Sequence, residues 1–137
     1  MIVADTGAII ALLDASDRHH LELLERYDED PDAWVLPWAV LPEVDYLAQT
    51  HLGPKVEAAF LEDVAEGRYR IEWGEVDDLV RAHDIASRYR SLKLGLVDTV
   101  VMAMAERLEA EAVATLDLRH FGAVKLRGGP RLVPRDR

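Results

Sequence analysis

Short apolar runs alternate with longer segments of helical periodicity along this chain. Apolar runs predict strands at 1–4, 34–36, 69–73 and 112–116, and a last strand at either 123–126 or 131–133. Between them, apolar side chains recur at helical spacing and predict helices at 6–15, 18–28, 37–47, 54–67, 76–89 and 96–108. Strands separated by helices indicate an α/β protein with a mainly parallel sheet and helices on both faces.

Composition narrows the class of protein further. The chain has 137 residues, of which 50% are hydrophobic and 31% charged, and these values suit one globular domain spanning 1–137. It contains no cysteine, which excludes disulfides, thiolate zinc sites and cysteine nucleophiles. The apolar runs are too short to cross a bilayer, and no secretory signal is visible. We therefore expect a cytoplasmic protein with no membrane partner.

The charge of the chain is strongly negative and unevenly distributed. A net charge of −10 argues against a protein that coats nucleic acid by bulk electrostatics. Basic residues nevertheless concentrate in the segments 81–93 and 119–137. An enzyme that acts on nucleic acid through a local site therefore remains compatible with the total.

Four acidic residues stand where a parallel sheet collects functional groups. Asp5 and Asp117 each follow a predicted buried strand, and ligands of such sheets bind beyond the carboxyl ends of the strands. Asp98 interrupts the apolar run 94–105, where a charge must be paired, capped or metal-bound. Glu43 lies near the start of a predicted helix. Each acid also has an ordinary explanation: helix capping for Asp5 and Asp98, a turn for Asp117, and the helix dipole for Glu43.

Together, the four carboxylates predict a cation site. If they converge on one crevice, their negative charges raise one another's pKa unless a cation joins them. Oxygen ligands suit hard divalent ions, so an all-carboxylate pocket favours Mg2+ or Mn2+ over zinc. The histidines lack the HExxH spacing of a zinc site, and His120 is expected at the surface or half-buried.

Four motifs carry a family resemblance that covers nearly the whole chain. They are IVADTGAIIALL at 2–13, PEVDYL at 42–47, LGLVDTVVMAMAERL at 94–108 and ATLDLRHFGAVK at 114–125. In this order the motifs resemble the PIN-domain family, and more closely the VapC-type ribonuclease toxins of bacterial toxin–antitoxin pairs. The resemblance implies a three-layer α/β/α sandwich around a mainly parallel sheet, and metal-dependent cleavage of RNA.

The resemblance also assigns residues and partners. It carries the family's catalytic and metal-binding acids onto Asp5, Glu43, Asp98 and Asp117, with Thr6 as a supporting hydroxyl. It implies hydrolysis to a 5′-phosphate product, without the RNA 2′-hydroxyl as nucleophile. It further implies a homodimer and a cognate antitoxin, for which the apolar residues of the early helices are candidate contacts if they are not core. Candidates for binding the RNA phosphates are Arg88, Arg90, Lys93 and Arg119.

Two other functions fit a parallel sheet with acids at its edge. A receiver-like phosphoacceptor domain has a similar length, but its usual paired acids after the first strand are missing because Thr6 and Gly7 follow Asp5. A non-catalytic module that binds RNA or a protein on the same fold is the second alternative. The triplet at 5–7 also spells the aspartic protease motif, but that nearly all-β fold conflicts with the helix predicted after it.

Overall fold

The computed structural model describes residues 1–136, and Arg137, the last residue of the predicted domain, lies outside the described residues. Its sheet consists of β1 (Ile2–Ala4), β2 (Trp34–Pro37), β3 (Arg70–Glu72), β4 (Ala112–Ala114) and β5 (Arg131–Val133). The strands are all parallel, in the order β3-β2-β1-β4-β5. The parallel sheet is therefore confirmed, and the last strand is the one predicted at 131–133.

Helices cover both faces of this sheet. Within residues 1–136 they are α1 (Thr6–Leu13), α2 (His20–Glu29), α3 (Val40–Leu47), α4 (Pro54–Ala65), α5 (Val76–Arg88), α6 (Leu96–Arg107) and α7 (Leu118–Phe121). A π-helical segment, Ala48–Leu52, continues α3. α1 contacts α2 and α3, whereas α5 packs against α6. Right-handed crossovers place these two groups on opposite faces, so the three-layer α/β/α class is confirmed. Each helix of the described chain falls short of the length and apolar character that a membrane span requires.

The centre of the sheet is fully buried, which explains the apolar character of its strands. Val3, Ala4, Val113 and Ala114 on β1 and β4 have no exposed surface. The helix α6 is buried from Thr99 to Ala105 and contacts β1 and β2. When a strand or helix is buried on all sides, its sequence is a continuous apolar run and not an alternation of apolar and polar residues.

The structure corrects the predicted inward face of α5. Helical spacing predicts that Leu79 and Val80 lie inside together with Ala82 and Ile85. Only the latter two are buried, whereas Leu79 and Val80 are 46% and 64% exposed. Because α5 lies on α6 through a narrow stripe of small and branched residues, its second apolar stripe faces outward. We call Val76, Leu79 and Val80 the outer face of α5.

The strand order places the end of β1 beside the end of β4. The chain runs from β1 to β2 and β3 on one side and then returns to place β4 and β5 on the other. The register pairs Ala4 with Ala114, so Asp5 and Thr115 leave the sheet side by side. The backbone N–H of Asp5 donates to the carbonyl of Ala114 at 2.8 Å. In open α/β sheets, ligands bind in the crevice at this point of reversal.

Candidate active site

Asp5 is a buried carboxylate at the end of β1, with 6% of its surface exposed. It occupies the cap position of α1 without a side-chain capping hydrogen bond, although a hydrogen bond joins its carboxylate to the backbone of Thr6. Its Oδ2 accepts a hydrogen bond from the hydroxyl of Thr115 at 3.0 Å. Burial raises the pKa of Asp5 to about 6, and the charges of Asp98 and Glu43 add to this rise, whereas hydrogen bonds from the backbone of Thr6 and from the Thr115 hydroxyl oppose it.

Asp98 lies in the first turn of α6, whose cap position is Gly95. Capping is therefore not the role of this aspartate. Its side chain is 21% exposed and opens toward the same edge of the sheet as Asp117. Burial and then the charge of Asp117 raise the pKa of Asp98, and His120 opposes this rise.

Asp117 and His120 form a contact that joins α7 to α6. Asp117 caps α7, because its Oδ1 accepts the backbone N–H of His120 at 3.1 Å; its ordinary explanation as a turn residue therefore holds. Its Oδ2 lies 2.9 Å from Nδ1 of His120. The same Nδ1 lies 3.1 Å from Oδ2 of Asp98. This ring nitrogen therefore lies within hydrogen-bond distance of both carboxylates, and the tautomer of the imidazole decides whether it donates or accepts.

Thr115 connects Asp5 to this pair. Its hydroxyl donates to Oδ2 of Asp5 and accepts the backbone N–H of Asp117, both at 3.0 Å. The residue is 1% exposed, so both hydrogen bonds are protected from water. Thr115 thereby fixes the first and fourth acids of the cluster relative to each other.

Glu43 and Thr6 lie close to the same cluster. Glu43 is exposed in the first turn of α3, and its charge acts on both Asp5 and Asp98. Thr6 is 4% exposed, and its hydroxyl has no hydrogen-bond partner within residues 1–136. The four predicted acids thus lie together, and a partnerless buried hydroxyl, which is uncommon in proteins, stands next to the first of them.

The predicted phosphate-binding residues are all exposed. Arg88 lies 3.9 Å from Asp84 in a surface ion pair, whereas Arg90, Lys93 and Arg119 make no ion pair within the described chain. Arg90 and Lys93 belong to the turn that leads into α6, and Arg119 lies on α7. Along the chain, Arg90 and Lys93 therefore precede the helix that carries Asp98, and Arg119 is two residues from Asp117.

The donor set of the cluster fits a divalent cation. Asp98, Asp117 and His120 each offer one ligand atom, and these atoms lie within 4.8 Å of one another. Carboxylate oxygens and imidazole nitrogens are both ligands of divalent metal ions in proteins. A cation at this point also stabilises the ionised forms of Asp5 and Asp98, whose pKa values are raised chiefly by burial and further by neighbouring negative charges.

Sequence reasoning misses two members of the cluster. His120 is half-buried, in agreement with its predicted exposure, but its contact with two acids is not predicted. The signal for it is the spacing of Asp117 and His120, because residues three apart meet on one helical turn. Thr115 belongs to a predicted buried strand, and only the register of β1 and β4 shows that it meets Asp5.

Comparisons with known proteins agree with this geometry. Residues 2–125, which contain all four acids, match the PIN domain. Ribonuclease VapC26 of Mycobacterium tuberculosis is 32% identical over 130 residues, which cover 95% of this chain and 96% of that protein.

Similar folds occur in solved structures. The structure of VapC20 from Mycobacterium tuberculosis, described as a sarcin-ricin loop cleaving toxin, has a TM-score of 0.77 at 21% identity and covers 93% of this chain and 99% of that one. The DNA-bound VapBC complex of Salmonella typhimurium has a TM-score of 0.72 at 20% identity and covers 96% and 95%. PIN-domain ribonucleases generally use divalent metals, and the cluster offers ligands for one. The domain match and the identity together show that this chain belongs to the PIN-domain family of VapC-type ribonucleases.

Proposed function

We propose that this chain hydrolyses RNA phosphodiester bonds with Mg2+ or Mn2+, as the toxin of a toxin–antitoxin pair. The observation that carries the proposal is the contact of His120 with Asp98 and Asp117, beside the buried Asp5. None of these three acids forms an ion pair with a lysine or arginine of residues 1–136. Burial and neighbouring negative charge disfavour the ionised forms of Asp5 and Asp98, and a bound cation would offset both effects.

Each residue of the cluster has a part in the proposed reaction. Asp5, Glu43, Asp98 and Asp117 hold one or two divalent ions. A bound divalent ion lowers the pKa of a water molecule and neutralises charge that develops on the phosphate. Thr115 keeps Oδ2 of Asp5 in place, and the buried hydroxyl of Thr6 supports the same region. The exposed cations around the cluster bind the flanking phosphates of the RNA: Arg88, Arg90, Lys93 and Arg119.

The proposed partners have candidate surfaces on the molecule. Of the apolar residues on the early helices, Val44 is fully buried and belongs to the core, whereas Leu21 is 77% exposed and can contact an antitoxin. The outer face of α5 is an exposed apolar stripe, and such stripes are commonly covered by another chain. We assign it to the proposed homodimer, which sedimentation of the purified protein tests; a monomer at high concentration would contradict it. The cytoplasmic location stays a prediction.

The experiment that tests the function compares Asp98→Asn with Asp77→Asn. Asp77 is an exposed acid of α5, so its substitution controls for the loss of one negative charge. Loss of a metal-binding carboxylate is expected to lower the rate of RNA cleavage in Mn2+ by at least about 100-fold, and a chelator is expected to abolish it. Mapped product ends should carry a 5′-phosphate.

The same experiment separates the alternatives. If Asp98→Asn cleaves RNA as fast as the wild type, or if cleavage survives the chelator, the proposal is wrong. If the protein binds RNA and Mn2+ without cutting, the non-catalytic module is the better description. A stable phosphoryl adduct formed from a phosphoryl donor would favour the receiver-like alternative.

A further inference from the structure

A cleft of about 410 Å3 opens beside the acidic cluster. Its lining includes Arg18 in the loop before α2 and Arg135, which follows β5. Thr115, Leu116 and Leu118 also line it. None of the candidate phosphate-binding residues lines this cleft, so it is a separate feature of the surface.

The cleft is continuous with the proposed metal site. Thr115 contributes to both, because its hydroxyl binds Oδ2 of Asp5 while the residue also lines the cleft. Leu116 and Leu118 immediately precede and follow Asp117, and consecutive Cα atoms are only about 3.8 Å apart. A polymer whose phosphate lies at the acidic cluster can therefore reach the cleft with its adjacent residue.

The walls of the cleft carry cations in a chain that is otherwise strongly acidic. The Nε of Arg18 donates to Nε2 of His19 at 3.1 Å, which fixes the guanidinium against the imidazole. Arg135 uses Nε and Nη2 to bind Asp136, at 2.7 and 2.9 Å, and its Nη1 stays outside this pair. Glu22 also lines the cleft and Asp136 already pairs with Arg135, so the cationic groups that the lining offers are Arg18 and Nη1 of Arg135.

The charged groups, the apolar surface and the size of the cleft together favour one class of ligand. Guanidinium groups bind phosphate oxygens, and Leu116 and Leu118 offer an apolar surface to a base or a ribose. A cavity of this size falls in the range of small-ligand sites. An acidic peptide would meet the same arginines, but it has no reason to continue into a cluster of four carboxylates. A nucleic acid does, because its phosphate is the group that a cation in this cluster attracts.

We propose that this cleft holds the nucleotide next to the scissile phosphate of single-stranded RNA, with Arg18 and Arg135 contacting its phosphate and Leu116 and Leu118 its base or ribose. The assignment rests on the proposed ribonuclease function. It adds a binding subsite beside Asp117, whose two neighbours in sequence line the cleft.

The test measures binding of a short fluorescein-labelled single-stranded RNA of mixed sequence in Ca2+, a hard cation with oxygen ligands, and gels run after each titration establish that the RNA is intact. We expect Arg18→Ala and Arg135→Ala each to weaken Kd by roughly 3- to 10-fold and to reduce the slope of log Kd against log salt by about 0.7. Mn2+ affinity, measured by electron paramagnetic resonance, should not change. Arg135→Lys should lose less affinity, because it keeps the charge. Melting curves exclude misfolding as the cause.

Arg131→Ala is the matched control, because Arg131 begins β5 and Arg135 follows the end of the same strand. Both are exposed arginines, but Arg131 lies at the opposite edge of the sheet. The proposal is overturned if Arg18→Ala and Arg135→Ala bind RNA like the wild type, or if Arg131→Ala causes an equal loss. If neither Arg18→Ala nor Arg135→Ala changes the affinity for RNA, a protein segment becomes the better candidate for the occupant of the cleft.

The outcomes separate this assignment from the proposed function. If Asp98→Asn abolishes cleavage while the cleft variants bind RNA normally, only the cleft assignment is wrong. If Asp98→Asn cleaves normally while the cleft variants lose RNA affinity with a reduced salt slope, the cleft binds RNA and the metal-site assignment is wrong.

Discussion

Asp5 at the carboxyl edge of the sheet and Asp78 on α5 are both almost completely buried, with 6% and 3% exposure. Asp78 accepts hydrogen bonds from Nε and Nη2 of Arg107, at 2.7 and 3.1 Å, and from the backbone N–H of Glu75 at 2.9 Å. Asp5 accepts the neutral hydroxyl of Thr115, and no lysine or arginine within residues 1–136 pairs with it. One buried charge is neutralised by the protein, and the other is not.

Glu106 and Asp98, two acids of α6, show the same difference between an acid that the chain neutralises and one that it does not. Glu106 at the end of α6 is bound by Arg81, with its Nε 2.6 Å from Oε1. Burial alone would raise the pKa of Glu106, but the hydrogen bonds from Arg81 and the backbone N–H of Arg127 lower it. Asp98, in the first turn of the same helix, has a raised pKa.

This difference separates structural acids from functional ones. In the ion pairs between α5, α6 and β3, arginines of the same chain neutralise the acids, and these pairs hold the three elements together. The acids at the edge of β1 and β4 keep an unfavourable arrangement that a bound cation relieves, which is typical of functional sites. The two regions should therefore respond in opposite ways to removal of a charge.

The largest expected effect is on the structural side of this comparison. Arg107→Ala leaves Asp78 buried without its cation, and loss of one partner of a buried pair costs about 3–5 kcal/mol of unfolding free energy. We expect a melting temperature lower by roughly 10 °C or more. Arg70→Ala, at an exposed arginine of β3, should change stability by less than about 0.5 kcal/mol. Adding Asp78→Asn to Arg107→Ala should recover part of the loss, and a further fall would contradict this account.

The next effect concerns Asp5, where removal of the charge is expected to raise the free energy of unfolding and not to lower it. Its pKa is about 6 in the folded chain against 3.8 for an ordinary aspartate, so between these values the folded state binds more protons than the unfolded state. The free energy of unfolding of metal-free protein therefore falls as pH rises through this interval. Asp5→Asn removes this titration and should be more stable than the wild type above about pH 6, by up to about 3 kcal/mol.

Urea unfolding in EDTA from about pH 4 to about pH 7 measures this difference. Asp77→Asn is the matched control, because an exposed aspartate is expected to leave the pH dependence unchanged. If Asp5→Asn is less stable than the wild type at neutral pH, the carboxylate is satisfied within the chain, and the contrast with Asp78 is wrong.

The positions of the acids follow from sequence because they depend on local patterns and on sheet geometry. Asp5 and Asp117 come after buried runs, and the parallel sheet brings the ends of those runs to one edge. The interruption of an apolar helix by Asp98 is equally visible along the chain. Capping is the wrong explanation for Asp98, because Gly95 holds the cap position of α6. Asp5 does hold the cap position of α1, but it makes no side-chain capping hydrogen bond there.

What sequence does not predict depends on contacts between distant segments. α5 has two apolar stripes, and periodicity alone does not show that Ala82 and Ile85 face α6 while Leu79 and Val80 face outward. Arg18 and Arg135 meet in one cleft although they lie at opposite ends of the chain. His120 belongs to the acidic cluster because α7 lies next to α6, and this adjacency is a property of the folded chain.

The smallest of the expected effects concerns His120 itself. Whether its Nδ1 becomes a metal ligand or keeps the two carboxylates in place, His120→Ala should weaken Mn2+ binding by about tenfold, because supporting residues of a metal site are worth 10- to 100-fold in affinity. His83→Ala, at an exposed histidine of α5, should leave the affinity unchanged. Mn2+ electron paramagnetic resonance measures the affinity and also resolves coupling to a coordinated imidazole nitrogen. Nitrogen coupling that disappears in His120→Ala identifies a ligand, whereas weakened binding without coupling identifies a positioning residue. Equal affinity in both variants and the wild type would show that the contact of His120 with Asp98 and Asp117 contributes nothing to the cation site, which would then consist of carboxylates alone.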